Sequence, residues 1–372
     1  ADPVVSRTET EYDGQPLGTV TKGNPTLVRE WTDINANTSI ASVRTKYDSF
    51  GNPVMLLDPL STDPPVPANG HYREIAFDAR FHAYPVSETV RVGGGKPSLI
   101  LSVAYDLGQA TLISSTDFNG HQTTYGYDTF GRLTRVIRPG DSEAAPSIEY
   151  DYALAQPFGQ GGVINFVEVR LRDGLPGTPG DTKPNFYRTR SFVDGLGREL
   201  MTKEEAERDP DTGAPRVAVS GAVTFNARGQ AHSALNPYYS LAGSDLDALL
   251  AFEDVTADDW QGVFHENGQL VQRDLATAHK SVMTYDETLR TLVATNPDGT
   301  ERKTVYEPLV VRSFDENDAD PASQYADTPM VHHSDGLERL IQVDEVVRLN
   351  ADGTPSASLN VWTTRYAYRA DG

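Results

Sequence analysis

Residues 125–141 read YGYDTFGRLTRVIRPGD. Two aromatic residues alternate with a glycine, an aspartate opens a four-residue turn, a glycine closes it, and a second alternating run follows. Aspartate at the first turn position accepts from backbone N–H groups inside the turn, and glycine at the fourth takes a positive φ without a Cβ clash. A type I turn followed by a left-handed residue joins two antiparallel strands through a bulge that raises their twist. Tyr125 and Tyr127 share one strand face. On the return strand, alternation puts Leu133, Arg135 and Ile137 on one face and Arg132, Thr134 and Val136 on the other.

The same phrase recurs along the chain. It stands as Tyr47-Asp48 with Gly51-Asn52, Tyr127-Asp128 with Gly131-Arg132, Val193-Asp194 with Gly197-Arg198, and Phe225-Asn226 with Gly229-Gln230. Ser334-Asp335 with Glu338-Arg339 is a copy without the closing glycine. Eroded copies begin at Tyr12-Asp13, Phe77-Asp78, Tyr105-Asp106, Tyr150-Asp151, Tyr285-Asp286 and Phe314-Asp315. A second turn signal appears at Pro297-Asp298-Gly299, Ala351-Asp352-Gly353 and Ala370-Asp371-Gly372. Asp48, Gly51, Asp128, Gly131, Asp194, Gly197, Asn226, Gly229 and Asp335 are therefore assigned as structural turn residues. A lone hairpin is unstable in water, so the units must pair in series and bury their aromatic face by stacking or wrapping.

Composition agrees. The 372 residues hold 31 Gly and 24 Pro, spread as turn punctuation, with 13 Phe, 17 Tyr and 3 Trp. The net charge of −21, from 53 acids and 32 bases, opposes binding to nucleic acid, whose phosphates demand basic clusters. The acidity suits a large β protein that must resist edge-to-edge association. Without cysteine there is no disulfide, thiolate nucleophile or thiolate metal site. No apolar run approaches the length of a membrane span. The ending at Asp371-Gly372, a dipeptide that normally reverses a strand, reads as a piece excised from a longer protein.

Repeated Tyr-Asp-x-x-Gly-Arg hairpins with intervening Asp-Gly turns resemble the YD repeat of the RHS family. That family includes bacterial polymorphic toxins, the B and C components of ABC-type insecticidal toxin complexes, and teneurins. Residues 305–345, VYEPLVVRSFDENDADPASQYADTPMVHHSDGLERLIQVDE, are most similar to the B component of the toxin complexes. The resemblance implies an all-β fold: antiparallel hairpins forming a curved, spiralling sheet that makes part of a shell. It implies a non-enzymatic, secreted wall segment that confines and helps deliver a toxic polypeptide. Its partners would be the remainder of the shell, a C-type component and the encapsulated toxic segment. The self-cleaving core of the C component has no counterpart here, so no cleavage is carried over. The competing expectation is an extracellular adhesion or glycan-binding module using exposed aromatic rows.

One repeat region is expected over 1–372, with three interruptions. Residues 59–70 form a proline-rich connector. Residues 159–192 form an irregular insertion with a strand over 163–171 and a loop over 173–184. Residues 244–264 form a helical insertion, with Ser244 as N-cap and Thr256 capping a second turn, that covers the sheet.

Other motifs carry less chemistry than they suggest. His332 and His333 are adjacent on a strand and point to opposite faces, so they cannot readily share a metal. DENDAD (315–320) lacks the glycine and distal glutamate of a calcium loop, and DPDTG (209–213) has only two carboxylates. VGGGKPS (92–98) lacks the first glycine of a phosphate loop and has proline where the magnesium-binding hydroxyl would stand. No catalytic residue, metal or cofactor is expected.

Overall fold

The computed structural model describes residues 6–34, 36–158, 162–173, 185–209, 211–241, 243, 245–350 and 354–368. The strands form two large antiparallel sheets, with only two one-turn helices among the described residues. Contacts divide the chain into two units, Ala1–Tyr150 with Leu171–Phe186, and Asp151–Arg170 with Tyr187–Gly372.

The first unit is an uninterrupted meander. Its strands are β1 (Thr8–Tyr12), β2 (Pro25–Asp33), β3 (Thr38–Tyr47), β4 (Pro53–Leu57) and β5 (Tyr72–Phe77). They continue as β6 (Pro85–Arg91), β7 (Leu99–Asp106), β8 (Thr111–Thr116), β9 (Gln122–Tyr127), β10 (Leu133–Ile137) and the first residues of β11 (Ile148–Phe158). Each pairs antiparallel with the next. Register shifts by one residue beside the motif turns, at Lys46/Tyr47, Ala76/Phe77, Ala104/Tyr105 and Leu133/Arg135. The last of these breaks the alternation expected over 133–137. Leu133 pairs with Tyr127 and Val136 with Tyr125, so the bulge turns Val136, 8% exposed, toward the tyrosine face. The connector 59–70 lies between β4 and β5.

The second unit begins with the rest of β11, then β12 (Gly162–Asp173, to Arg170), β13 (Asn185–Val193), β14 (Glu199–Ala206) and β15 (Arg216–Ser220). The chain then starts the second sheet with β16 (Val223–Phe225) and β17 (Ala231–Leu235). It returns to the first sheet with β18 (Tyr238–Ser240), which pairs with β15. Helix α1 (Leu246–Leu249) follows, then β19 (Gln261–Glu266) and β20 (Gln269–Asp274). The second sheet resumes with β21 (Lys280–Tyr285), β22 (Thr291–Thr295), β23 (Glu301–Glu307) and β24 (Val310–Phe314). It ends with helix α2 (Glu316–Ala319), β25 (Met330–Ser334), β26 (Leu340–Leu349) and β27 (Pro355–Arg365). Its connections differ by edge: 226–230, 286–290 and 335–339 are tight, whereas the two long ones, 236–279 and 315–329, leave the other edge.

The helical insertion is shorter than the sequence suggests. Ser244 lies outside the described residues, and Asp245 is the N-cap, accepting from the Asp247 N–H. The helix stops after one turn because its exposed carbonyls are taken from the sheet: Lys203 Nζ donates to Leu249 O at 2.9 Å and Arg190 Nη1 to Leu250 O at 3.2 Å. Thr256 does not cap a turn; its N–H and hydroxyl donate to Asp254. Phe264 belongs to β19, where burial alternates every second residue, so the apparent helical period across 260–264 is that of a strand. The insertion does cover the sheet. Val255 and Trp260, with Phe252 and Ala257 alongside, pack on Ile164, Phe192, Met201 and Val219. In the expected irregular stretch 159–192, β12 and β13 are regular strands, and 174–184 lie outside the described residues.

Candidate functional site

The recurring turn is built the same way at each well-formed copy. In the first unit, the Asp128 N–H donates to Arg132 O and the Gly131 N–H to Asp128 O, both at 3.0 Å. Asp128 Oδ1 accepts from the N–H groups of Phe130 and Arg132 at 2.9 Å, and Oδ2 accepts from Arg132 Nε at 2.7 Å. Asp48 repeats this with Phe50 and Asn52. In the second unit Asp194 does so with Leu196 and Arg198, Asp286 with Thr288 and Arg290, and Asp335 with Leu337 and Arg339. Asn226 accepts from the N–H groups of Arg228 and Gln230, so an amide oxygen serves as well as a carboxylate.

The fourth turn position takes a positive φ: 76° at Gly131, 78° at Gly197 and 82° at Gly229. Leu289 and Glu338 hold the same place at 69° and 62°, a strained conformation for a side-chain-bearing residue.

These hydrogen bonds set the charge state. Burial pushes the Asp128 carboxyl up, but the Arg132 and Phe130 N–H groups and the Arg132 guanidinium outweigh it and hold the group below its usual range. At Asp286 the same balance, with Arg290 and Thr288 as donors, leaves the pKa at about 2. At Asp335 the Arg339 guanidinium is the main cause of the lowering.

Alternation places the copies together. Asp48, Asp78, Asp106 and Asp128 stand at every second connection of the first unit and so share one edge of its meander. Asn226, Asp286 and Asp335 share one edge of the second sheet. The third turn residue projects into solvent: Phe130 is 83% and Leu196 80% exposed. The eroded copies diverge. Asp13 and Asp78 each gather four backbone N–H groups in longer loops. Asp315 caps α2, and Asp151 lies inside β11 and opens no turn. Asp117, which lacks a preceding aromatic residue and was missed in the sequence, builds a similar turn at the opposite edge with Asn119, Gly120 and His121. The turns at Asp352 and Asp371 lie outside the described residues.

A second polar constellation, invisible in the sequence, lies in the second unit. Glu168, whose side chain is 1% exposed, accepts from Arg170 Nε at 2.6 Å, Arg188 Nη2 at 2.8 Å and Arg190 Nε at 2.5 Å. Arg188 and Arg190 also hold Asp247 of α1. Burial raises the Glu168 carboxyl, but the three guanidinium groups outweigh it and leave the pKa at about 2. Nearby, Lys203 is paired with Glu253 at 3.2 Å, and Tyr238 donates to the same carboxylate. Burial pushes the Lys203 ammonium down against the pull of Glu253.

Asp128, Asp286, Asp335 and Glu168 are each held by donors that favour the charged form, the opposite of a poised general acid. Among the described residues no group of three His, Asp or Glu side chains is arranged to hold a metal ion. His333 pairs with Asp344 at 2.9 Å across β25 and β26. The DENDAD segment forms α2 with a capping box between Asp315 and Asp318. Tyr125 and Tyr127 are half-buried, and Tyr127 donates to Leu112 O. No helix among the described residues is long and apolar enough to cross a membrane.

Residues 106–143, which contain the Asp106 and Asp128 turns, match the family model of the RHS repeat. That stretch therefore carries an RHS repeat, and the hairpins elsewhere in the chain share its turn. Its fold is similar to that of solved toxin-complex structures. Against TcdB2–TccC3 the TM-score is 0.61 at 18% identity, covering 98% of this chain and 20% of that one. Against TcdB2–TccC3–Cdc42 it is 0.62 at 16% identity, with 98% and 22% covered. Against the Photorhabdus luminescens Tc holotoxin pore it is 0.62 at 15% identity, again with 98% and 22% covered. The repeat chain thus spans about a fifth of the length of the chains it matches. No curated protein matches it in sequence.

Proposed function

We propose that this chain is a length of wall in a secreted shell that encloses a toxic polypeptide, and that its role is structural. The observation that carries this reading is a meander of aspartate-anchored hairpins whose fold is similar over 98% of the chain to TcdB2–TccC3. Continuous pairing satisfies the backbone across a wide surface, which is what a barrier between a cargo and its surroundings requires. The buried charged cluster ties β12 and β13 to α1, which suits a structural layer. The partners are the rest of the shell, a C-type component and the enclosed segment.

The test is protease protection of cargo in the full-length protein that carries this chain, co-expressed with a C-type partner. The expected result is a closed particle whose cargo survives protease until the shell is opened by denaturant. Cargo digested at the same rate in the intact particle, or no assembly with the partner, would overturn the proposal.

A further inference from the structure

We propose that the residue after the closing position of the YD turn is a forward clamp: it fixes its own turn and also grips the next motif turn. The first half is the pairing described above. The second is seen at Asn52 and Arg198, which donate into the next motif turn, and in ring contacts that Arg290 and Arg339 make with a later tyrosine. Asn52 Nδ2 donates both to Asp48 Oδ2 at 3.0 Å and to His82 O, in the Asp78 turn, at 2.6 Å. Phe50 stacks on His82 with centroids 3.9 Å apart and rings 10° from parallel. Arg198, held by Asp194, donates to Gly229 O at 3.2 Å and lies 4.0 Å over the Phe225 ring. Arg290, held by Asp286, lies 4.2 Å over Tyr306, and Arg339, held by Asp335, lies 4.9 Å over Tyr368. In the Asn226 turn the reach comes from Arg228, which donates to Glu287 O at 2.9 Å.

The carboxylate and the clamp act as one device. The aspartate fixes the guanidinium plane, and a planar cation so fixed both stacks on an aromatic ring and donates at its edge. Arg198 matters most, because it works where the sheets change. The ladder from β14 runs to β15 and on to β18, whereas Phe225 and Gly229 belong to the hairpin that starts the other sheet. There a side chain couples neighbouring repeats where elsewhere backbone pairing does. In a repeat architecture, stability resides in such nearest-neighbour terms.

Hydrogen exchange on the intact chain, resolved by peptide, tests this. Arg198→Gln is expected to speed exchange over 223–231 by about fivefold to tenfold, the size of a lost cation–π contact and hydrogen bond. Residues 185–193 should stay unchanged. Arg198→Lys keeps the charge but not the plane and should behave like Arg198→Gln, while Phe225→Leu should reproduce part of the effect and add little to it. Arg290→Gln should loosen 303–310 in the same way. The proposal fails if Arg198→Gln loosens only 194–200, if exchange rises evenly along the chain, or if Arg198→Lys matches the unsubstituted protein.

Discussion

The two units solve the same problem differently. In the first, a meander carries its stability in strand pairing and in turns closed by aspartate, with buried apolar residues as scattered as Leu57, Tyr72 and Val136. In the second, the same hairpins are overlaid by a returning segment, and both apolar clusters found among the described residues lie there. One cluster centres on Phe192, Met201, Val219, Tyr238, Trp260 and Phe264. Beside the other, which joins Val217 to Leu249 and Leu250, sit Glu168 and Lys203 with their buried charges. The difference teaches that the repeat can make a sheet by local rules alone. A thick region needs long-range contacts, and these admit charge only when it is fully paired.

Substitutions can break that contrast. The largest effect is expected from Glu168→Ala, which strands three arginines: stability measured by urea unfolding should fall by about 3–5 kcal/mol. Phe192→Ala, which opens a cavity in the larger cluster, should cost about 3–5 kcal/mol in the same assay, at the lower end where neighbours collapse into the space. Acid sharpens the comparison next. A carboxylate whose folded pKa is lowered contributes stability that is complete above its unfolded value and is lost as pH falls through the folded value. For Glu168 the window runs from about 4.5 down to about 2, and Asp286 loses its contribution in the same direction. Circular dichroism from pH 5 to pH 2 should show progressive loss, and flat stability over that range would contradict the assignment. Asp128→Ala should speed exchange in residues 125–137 and leave the second unit untouched. Smallest of all is Phe130→Ala at an exposed turn tip, which should change stability by no more than about 0.5 kcal/mol.

The all-β hairpin architecture is readable in the sequence because its rules fit in a short window. The spacing from Tyr127 through Asp128 to Arg132 specifies a strand end, a turn and a return strand without reference to anything distant. The overlay is not readable that way. Leu246, Leu249 and Leu250 have a helical spacing, yet Lys203 and Arg190 reach the carbonyls that end the helix from strands some forty to sixty residues away. Glu168 reads as one of 53 acids, because two of its three arginine partners come from β13 and are held in turn by Asp247 of α1. Likewise, Arg198 declares its bond to Asp194 in the sequence but not its contact with Phe225.

The unequal edges of the second sheet have a practical consequence. Connections 226–230, 286–290 and 335–339 each open on an aspartate or asparagine, whereas 236–279 and 315–329 leave the opposite edge and carry three strands, both helices and much of the covering segment. One border is therefore a hem of short stitches, and the other is a margin where new peptide has been added without unpicking the fabric. A labelling tag or a foreign epitope is best grafted at the tip of the 296–300 turn, on that same margin. The same graft placed between Asp286 and Arg290 would remove the stitch itself.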